Sequence, residues 1–239
     1  MEKLSNKNVV IIGASGGIGA ASAQLLKQSG ANLFLTGRDM TRLHAIADAT
    51  AVPAHHRFAL DVSSHEQVDA VAASIHAEVG AGADILINAT GIGIIKPLET
   101  LTHDDFMRSL SVNLVGAFNL LKAFLPPMKE RKTGLIINLP GVLGKTPMAG
   151  AAAYSASKYG LNGMLKSVRE ELKRTDIRIT NIYLGGTDTA FWDTIDMRVQ
   201  REKFVTAEEA AKAIWFLCQQ PSSGVVSEMV LQPFNHQAI

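Results

Sequence analysis

The chain has 239 residues, 47% of them hydrophobic, with 23 basic against 22 acidic side chains and a net charge of +1. That length builds one large domain with a full core, and that apolar content excludes a disordered chain. The balanced charge has no long run of either sign, since Lys129-Glu130-Arg131-Lys132 reads as a solvated helix end, so neither nucleic acid nor an anionic membrane is an expected partner.

A single cysteine, Cys218, follows the apolar run 213–217; it excludes an internal disulfide and reads as a core position. The first eight residues carry no apolar signal core, and no uninterrupted apolar stretch matches a bilayer span. The expectation is a cytoplasmic protein without a membrane or metal site.

In chain order, Val9-Val10-Ile11-Ile12 predicts a buried strand, followed by a glycine-rich turn and a helix over 18–28 that Ser29-Gly30 ends. A strand over 32–36 and a helix over 42–49 come next. A third strand over 57–60 ends at Asp61, and Ser63 with Glu66 predicts a capping box for a helix reaching Val79. After a fourth strand over 85–87, Thr102 and Asp105 open a long helix toward Leu125, which Pro126-Pro127 should stop or kink. A fifth strand over 135–137, the helix of Tyr154 to about Arg174 and a sixth strand over 177–182 follow. Thr206 and Glu209 cap the last helix, and 228–231 closes the sheet.

Short apolar strands alternating with helices predict a doubly wound α/β fold around a mostly parallel sheet, as one domain over 1–239. The irregular stretch 185–203 carries Phe191, Trp192, Ile195 and Met197. It reads as a lid over a pocket, as a short helix packed on the core, or as both.

The turn Gly13-Ala14-Ser15-Gly16-Gly17-Ile18-Gly19 lies between a strand and a helix, where glycines admit a pyrophosphate and helix amides face its charge. Gly13, Ser15, Gly17, Ile18 and Gly19 are therefore nucleotide-binding candidates. Further along, Tyr154 and Lys158 are four apart and share one helix face. A nearby ammonium lowers a tyrosine pKa, and a phenol so tuned can exchange a proton with a carbonyl or alcohol oxygen. That is chemistry for oxidoreduction.

The Gly-x-x-x-Gly-x-Gly spacing, with Tyr-x-x-x-Lys, resembles the short-chain dehydrogenase/reductase family, and the resemblance runs along nearly the whole chain. Asp61-Val62 is similar to the family's adenine-binding pair, and Asn88-Ala89-Thr90-Gly91 to its Asn-Asn-Ala-Gly turn, which adds Asn88 and Gly91. Asn113 matches the helix asparagine and Thr189 the downstream threonine, while Ile12 and Leu184 stand where the family often has threonine and proline.

The resemblance implies a Rossmann-type NADP-dependent oxidoreductase interconverting a carbonyl and an alcohol, with Tyr154 as acid or base. Lys158 would hold the nicotinamide ribose, and Asn113 would place a water in a proton relay. A homodimer or homotetramer is implied as well. The family's acidic, NAD-selecting position falls on Gly37, and Arg38 follows with a guanidinium suited to a 2′-phosphate, so NADP is favoured over NAD. Asp39 keeps NAD open but reads more simply as a helix N-cap, and Arg38 has an alternative as a surface ion-pair partner.

One position departs from the pattern. The family's substrate-binding serine, thirteen residues before the tyrosine, is Gly141 here. Losing such a donor costs about 10²–10³ in rate. A replacement donor such as Thr146 or a water, a substrate needing the space, or an NADP-binding regulatory or scaffold protein with little turnover would each account for it. Leu143, Met148, Phe191 and Trp192, with Gly141, are the substrate-contact candidates, each with core packing as its alternative.

Overall fold

The computed structural model describes residues 2–80 and 82–236. Seven strands, β1 (Asn8–Ile12), β2 (Asn32–Gly37), β3 (Arg57–Ala59), β4 (Ile85–Asn88), β5 (Thr133–Asn138), β6 (Asp176–Leu184) and β9 (Glu228–Leu231), form one sheet in the order β3-β2-β1-β4-β5-β6-β9. Every neighbouring pair is parallel. Helices α1 (Gly17–Gln28), α2 (Met40–Ala49), α3 (His65–Val79), α4 (His103–Leu110), α5 (Gly116–Arg131), α6 (Ala152–Glu171) and α7 (Ala207–Cys218) cover both faces.

The strand pattern follows from two-sided burial. Val9 and Ile11 of β1 face a core completed by Leu26 of α1, Leu43 of α2 and Ile214 of α7. Val10 and Ile12 face the opposite core, with Ile75 of α3, Phe124 of α5 and Leu165 of α6. Cys218 is buried at the end of α7, and burial pushes its thiol pKa up. Strand order reverses between β1 and β4, and a cleft opens at their carboxyl ends, where such sheets bind ligands.

Two local expectations need correction. The α3 cap is Ser64, whose hydroxyl accepts from the Gln67 amide at 3.3 Å, because Ser63 is occupied by Asp61. Pro126 and Pro127 do not stop the long helix, which continues to Arg131. Proline 127 deprives the Ala123 carbonyl of its usual amide partner, and the His76 imidazole Nε2 takes that place at 3.1 Å. The helical run His103–Arg131 is consequently long and apolar enough to cross a bilayer by length and composition, although no apolar stretch suggested it; half of its apolar window is buried within the fold.

Two short strands, β7 (Thr187–Asp188) and β8 (Val205–Thr206), were not evident in the sequence. They pair in parallel and close the segment 189–204 into a loop.

Candidate active site

The glycine-rich turn is tied to its neighbours by backbone. The Gly13 and Ala14 amides donate to Thr36 O at 3.1 and 2.8 Å, and the Ala89 amide donates to Ile12 O at 2.9 Å, so β1, β2 and β4 converge. Gly13 has φ +86°, and a β-carbon at Gly19 would run into Gly13 O, so neither position accepts a side chain without strain. The α1 N-terminus has no side-chain cap and no acidic residue in its first turn, which leaves its leading amides for an anion from the cleft. Ile18 contributes packing, since its side chain lies against the core.

The cleft has a volume of about 140 Å³ and is lined by Gly13, Ser15, Arg38, Asp61, Val62 and Gly91 among the anticipated residues. Thr36, Leu60, Thr90 and Val112 line it too and were not singled out as binding residues; the first three lie at or just after the ends of β2, β3 and β4, and Val112 lies in the helical turn Ser111–Val115. A β-carbon at Gly37 would lie 2.5 Å from Ser15 Oγ, so Ser15 occupies the space where an acidic side chain would begin. Asp39 is engaged elsewhere: it caps α2 through the Arg42 amide at 3.0 Å and pairs with the Arg42 guanidinium at 3.3 Å. Arg38 is exposed and forms no ion pair within 4.0 Å among the described residues.

Asp61 accepts from the Ser63 hydroxyl and amide at 2.6 and 2.9 Å, and these hydrogen bonds hold its pKa below the usual value. Asn88 is buried and braces the turn after β4, accepting from the Thr90 hydroxyl at 2.6 Å.

At the other end, Gly91, Asn113 and Lys158 come together: a β-carbon on Gly91 would be 3.4 Å from both Asn113 Oδ1 and Lys158 Nζ. Asn113 lies in a π-helical turn, Ser111–Val115, between α4 and α5. Its amide is fully engaged. Oδ1 accepts from the Ile92 amide at 2.9 Å, and Nδ2 donates to Ile92 O and Ser157 Oγ, both at 3.0 Å. Ser157 is a further site residue; its place inside the Tyr154–Lys158 helical turn was the available signal.

Lys158 is 3% exposed, and burial pushes its pKa down to about 8. Its ammonium donates to Leu139 O at 3.0 Å and lies 5.6 Å from the Tyr154 ring centre. Burial raises the Tyr154 pKa, so the expectation of a lowered tyrosine pKa is not met in this form.

Gly141 has φ +71° and ψ 168°, a conformation almost confined to glycine. A β-carbon there would lie 3.8 Å from the Tyr154 hydroxyl. Leu143, in the turn Val142–Gly144, and Met148, ahead of α6, are half-buried.

The 189–204 segment reaches both Gly17 and Gly93. Thr189 caps the turn Ala190–Thr194, and its methyl group meets the space over Gly17. Phe191 fills the space above Gly93, and its ring centre is 5.9 Å from that of Tyr154. Trp192 fits the packing alternative. Its indole donates to Thr187 O at 3.0 Å and its ring packs 5.1 Å from that of Phe204, so it anchors the segment itself. Arg201 binds Asp188 at 2.6 Å, Asp193 at 2.7 Å and Thr189 O at 2.9 Å, tying both ends together.

A family profile described as short chain dehydrogenase matches residues 7–200. An uncharacterized oxidoreductase of Staphylococcus epidermidis is 32% identical over 98% of this chain and 100% of its own. Among solved structures, a metagenomic short-chain oxidoreductase in complex with NADP is 32% identical, with a TM-score of 0.83 over 97% of this chain and 99% of the other. An alcohol dehydrogenase from the archaeon Thermococcus sibiricus, complexed with 5-hydroxy-NADP, is 26% identical, with a TM-score of 0.87 over 98% of this chain and 99% of the other.

Proposed function

The chain belongs to the short-chain dehydrogenase family of oxidoreductases, and on that premise we propose that it interconverts a carbonyl compound and its alcohol using NADP(H). The observation that carries this reading is a cleft that runs from Arg38 and Ser15 to Gly91, with Asn113 and Lys158 beside Gly91 and Tyr154 next to that lysine.

The residues fit an NADP molecule. Gly37 carries no acid to repel a 2′-phosphate, Ser15 Oγ lies beside it, and Arg38 has no ion-pair partner within 4.0 Å among the described residues. The α1 amides would face the pyrophosphate, Asp61 and Val62 the adenine, and Thr189 the cofactor side of the closing segment. When bound, the nicotinamide supplies or accepts the hydride.

Tyr154 then gives its phenolic proton to the carbonyl oxygen in reduction and removes it from the alcohol in oxidation. Lys158 stands beside the tyrosine and steadies the phenolate that remains. Asn113 has its side chain spent on Ile92 and Ser157, so its part is to hold the Ile92 backbone and the π-turn in place. Any water relay runs from the π-turn backbone, where the i→i+4 ladder is interrupted.

Phe191 faces Tyr154 and makes the pocket partly apolar, with the 189–204 loop as its lid. A homodimer or homotetramer would use the apolar residues left exposed on the long helix.

Oxidation of NADPH by a panel of aldehydes and ketones tests the reading. Turnover with at least one of them, stronger with NADPH than NADH, supports it. Tight NADPH binding with no turnover on any carbonyl would favour a regulatory or scaffold role, for which Gly141 is the motive.

A further inference from the structure

At the opposite end of the strands from the cleft, one side-chain cluster has no part in the site described above. His55 and His56 end the short turn Ala54–His56 that leads into edge strand β3, and Glu78 lies in the last turn of α3. The two imidazole Nε2 atoms each lie 3.7 Å from the same Glu78 oxygen, Oε1, and the three donor atoms fall within 4.8 Å of one another.

His56 makes this more than a surface ion pair. It is 5% exposed, and its Nδ1 lies 3.0 Å from Leu33 O, which places the ring proton on Nδ1 and a lone pair on Nε2. That Nε2 is buried without a hydrogen-bond partner. Phe34 stacks on the ring at 3.9 Å and fixes its plane. A backbone carbonyl orienting the far nitrogen of an imidazole is the usual support of a metal-binding histidine.

We propose that His55, His56 and Glu78 form a binding site for a divalent transition-metal ion of the zinc class, bridging the start of β3 and the end of α3. Two imidazoles and a carboxylate suit zinc, nickel or copper over calcium or magnesium. Metal bonds of about 2.0–2.2 Å bring tetrahedral ligands to roughly 3.3 Å apart, which side-chain adjustment of the exposed His55 and Glu78 achieves from 3.7 Å for each imidazole–carboxylate pair and from within 4.8 Å between the imidazoles. Water completes the shell. The neighbouring cation Arg57 is held by Asp48 at 2.7 Å and donates to Val52 O. No metal is expected from the sequence, because adjacent histidines more than twenty residues before a glutamate match no ligand spacing. The ion would pin the edge strand that delivers Leu60, Asp61 and Val62 to the cleft.

Zinc chloride titrated into the full, tag-free chain, followed by calorimetry and thermal melting, tests this. We expect one saturable equivalent and a raised melting temperature, with no such response to magnesium chloride. His55→Ala and Glu78→Gln, both at exposed positions, should keep the circular dichroism of the parent, weaken zinc binding at least tenfold and remove the melting shift. Absence of saturable zinc binding, or unchanged binding in the double variant, would overturn the proposal.

Discussion

The Tyr154 hydroxyl lies 3.8 Å from the point to which a β-carbon on Gly141 would project, so position 141 addresses the same spot as the tyrosine proton. The backbone there has φ +71°, which charges any side chain a conformational penalty of about 1–3 kcal/mol. Gly141→Ser and Gly141→Ala should therefore both lower stability in chemical denaturation. The hydroxyl is isolated by comparing the two: serine should exceed alanine at least tenfold in kcat if its Oγ reaches the substrate oxygen. Equal rates would show that the hydroxyl does not reach it.

Arg38→Ala should raise KM for NADPH tenfold or more and leave KM for NADH within a factor of two, since only the former offers a 2′-phosphate. Gly37→Asp should impair both cofactors, because its β-carbon would meet Ser15 Oγ at 2.5 Å. Initial rates with each cofactor decide the matter. Equal NADPH and NADH kinetics in the parent chain would contradict this assignment.

The buried Lys158 has a folded-state pKa near 8 against an ordinary 10.5. Below pH 8 both states carry the proton and the fold bears the full cost of a buried ammonium. Between pH 8 and 10.5 the unfolded chain binds more protons, so stability rises with pH. Tyr154, with its pKa raised, works in the opposite sense above pH 10, when the unfolded phenol ionises and the folded one does not. The cofactor-free protein should thus gain up to about 3 kcal/mol from this lysine, mostly between pH 8 and 10. Lys158→Met should flatten that part of a denaturation-against-pH curve.

Arg201 ties Asp188, Asp193 and Thr189 O within the closing loop, yet these groups are exposed and add little to global stability. Arg201→Ala should leave the melting temperature within about 2 °C of the parent. It should also speed proteolysis within 189–204 and raise the substrate KM several-fold. An unchanged cleavage pattern and KM would remove the loop from the lid role.

Met107, Val115 and Phe118 are exposed at helical spacing along the run from α4 into α5. Phe118→Glu should shift sedimentation toward the monomer while leaving the circular dichroism unchanged. A parent chain that sediments as a monomer would contradict the oligomer reading.

Much of this architecture was readable because burial on both sheet faces forces short apolar strands, and helix caps such as Thr102-Asp105 and Thr206-Glu209 carry local signals. Asp39 as the α2 cap was legible for the same reason. What escaped the sequence depends on distant partners. His76 rescues the Ala123 carbonyl beside Pro127 from another helix. Thr187 and Val205 pair across eighteen residues in strands too short to show a period. Trp192 turned toward Phe204 while Phe191 faced Tyr154, a choice that composition cannot make. The sign of the Tyr154 shift was missed because burial is set by the assembled fold.

Transfer of label from NADPH deuterated at the nicotinamide C4 into the product alcohol, with the parent chain and Tyr154→Phe side by side, tests the central claim most directly. The account expects labelled alcohol from the parent and at least a hundredfold slower transfer in Tyr154→Phe, with NADPH affinity held within a factor of three. Bound NADPH that labels no alcohol from any carbonyl offered, or a phenylalanine variant as fast as the parent, would contradict it.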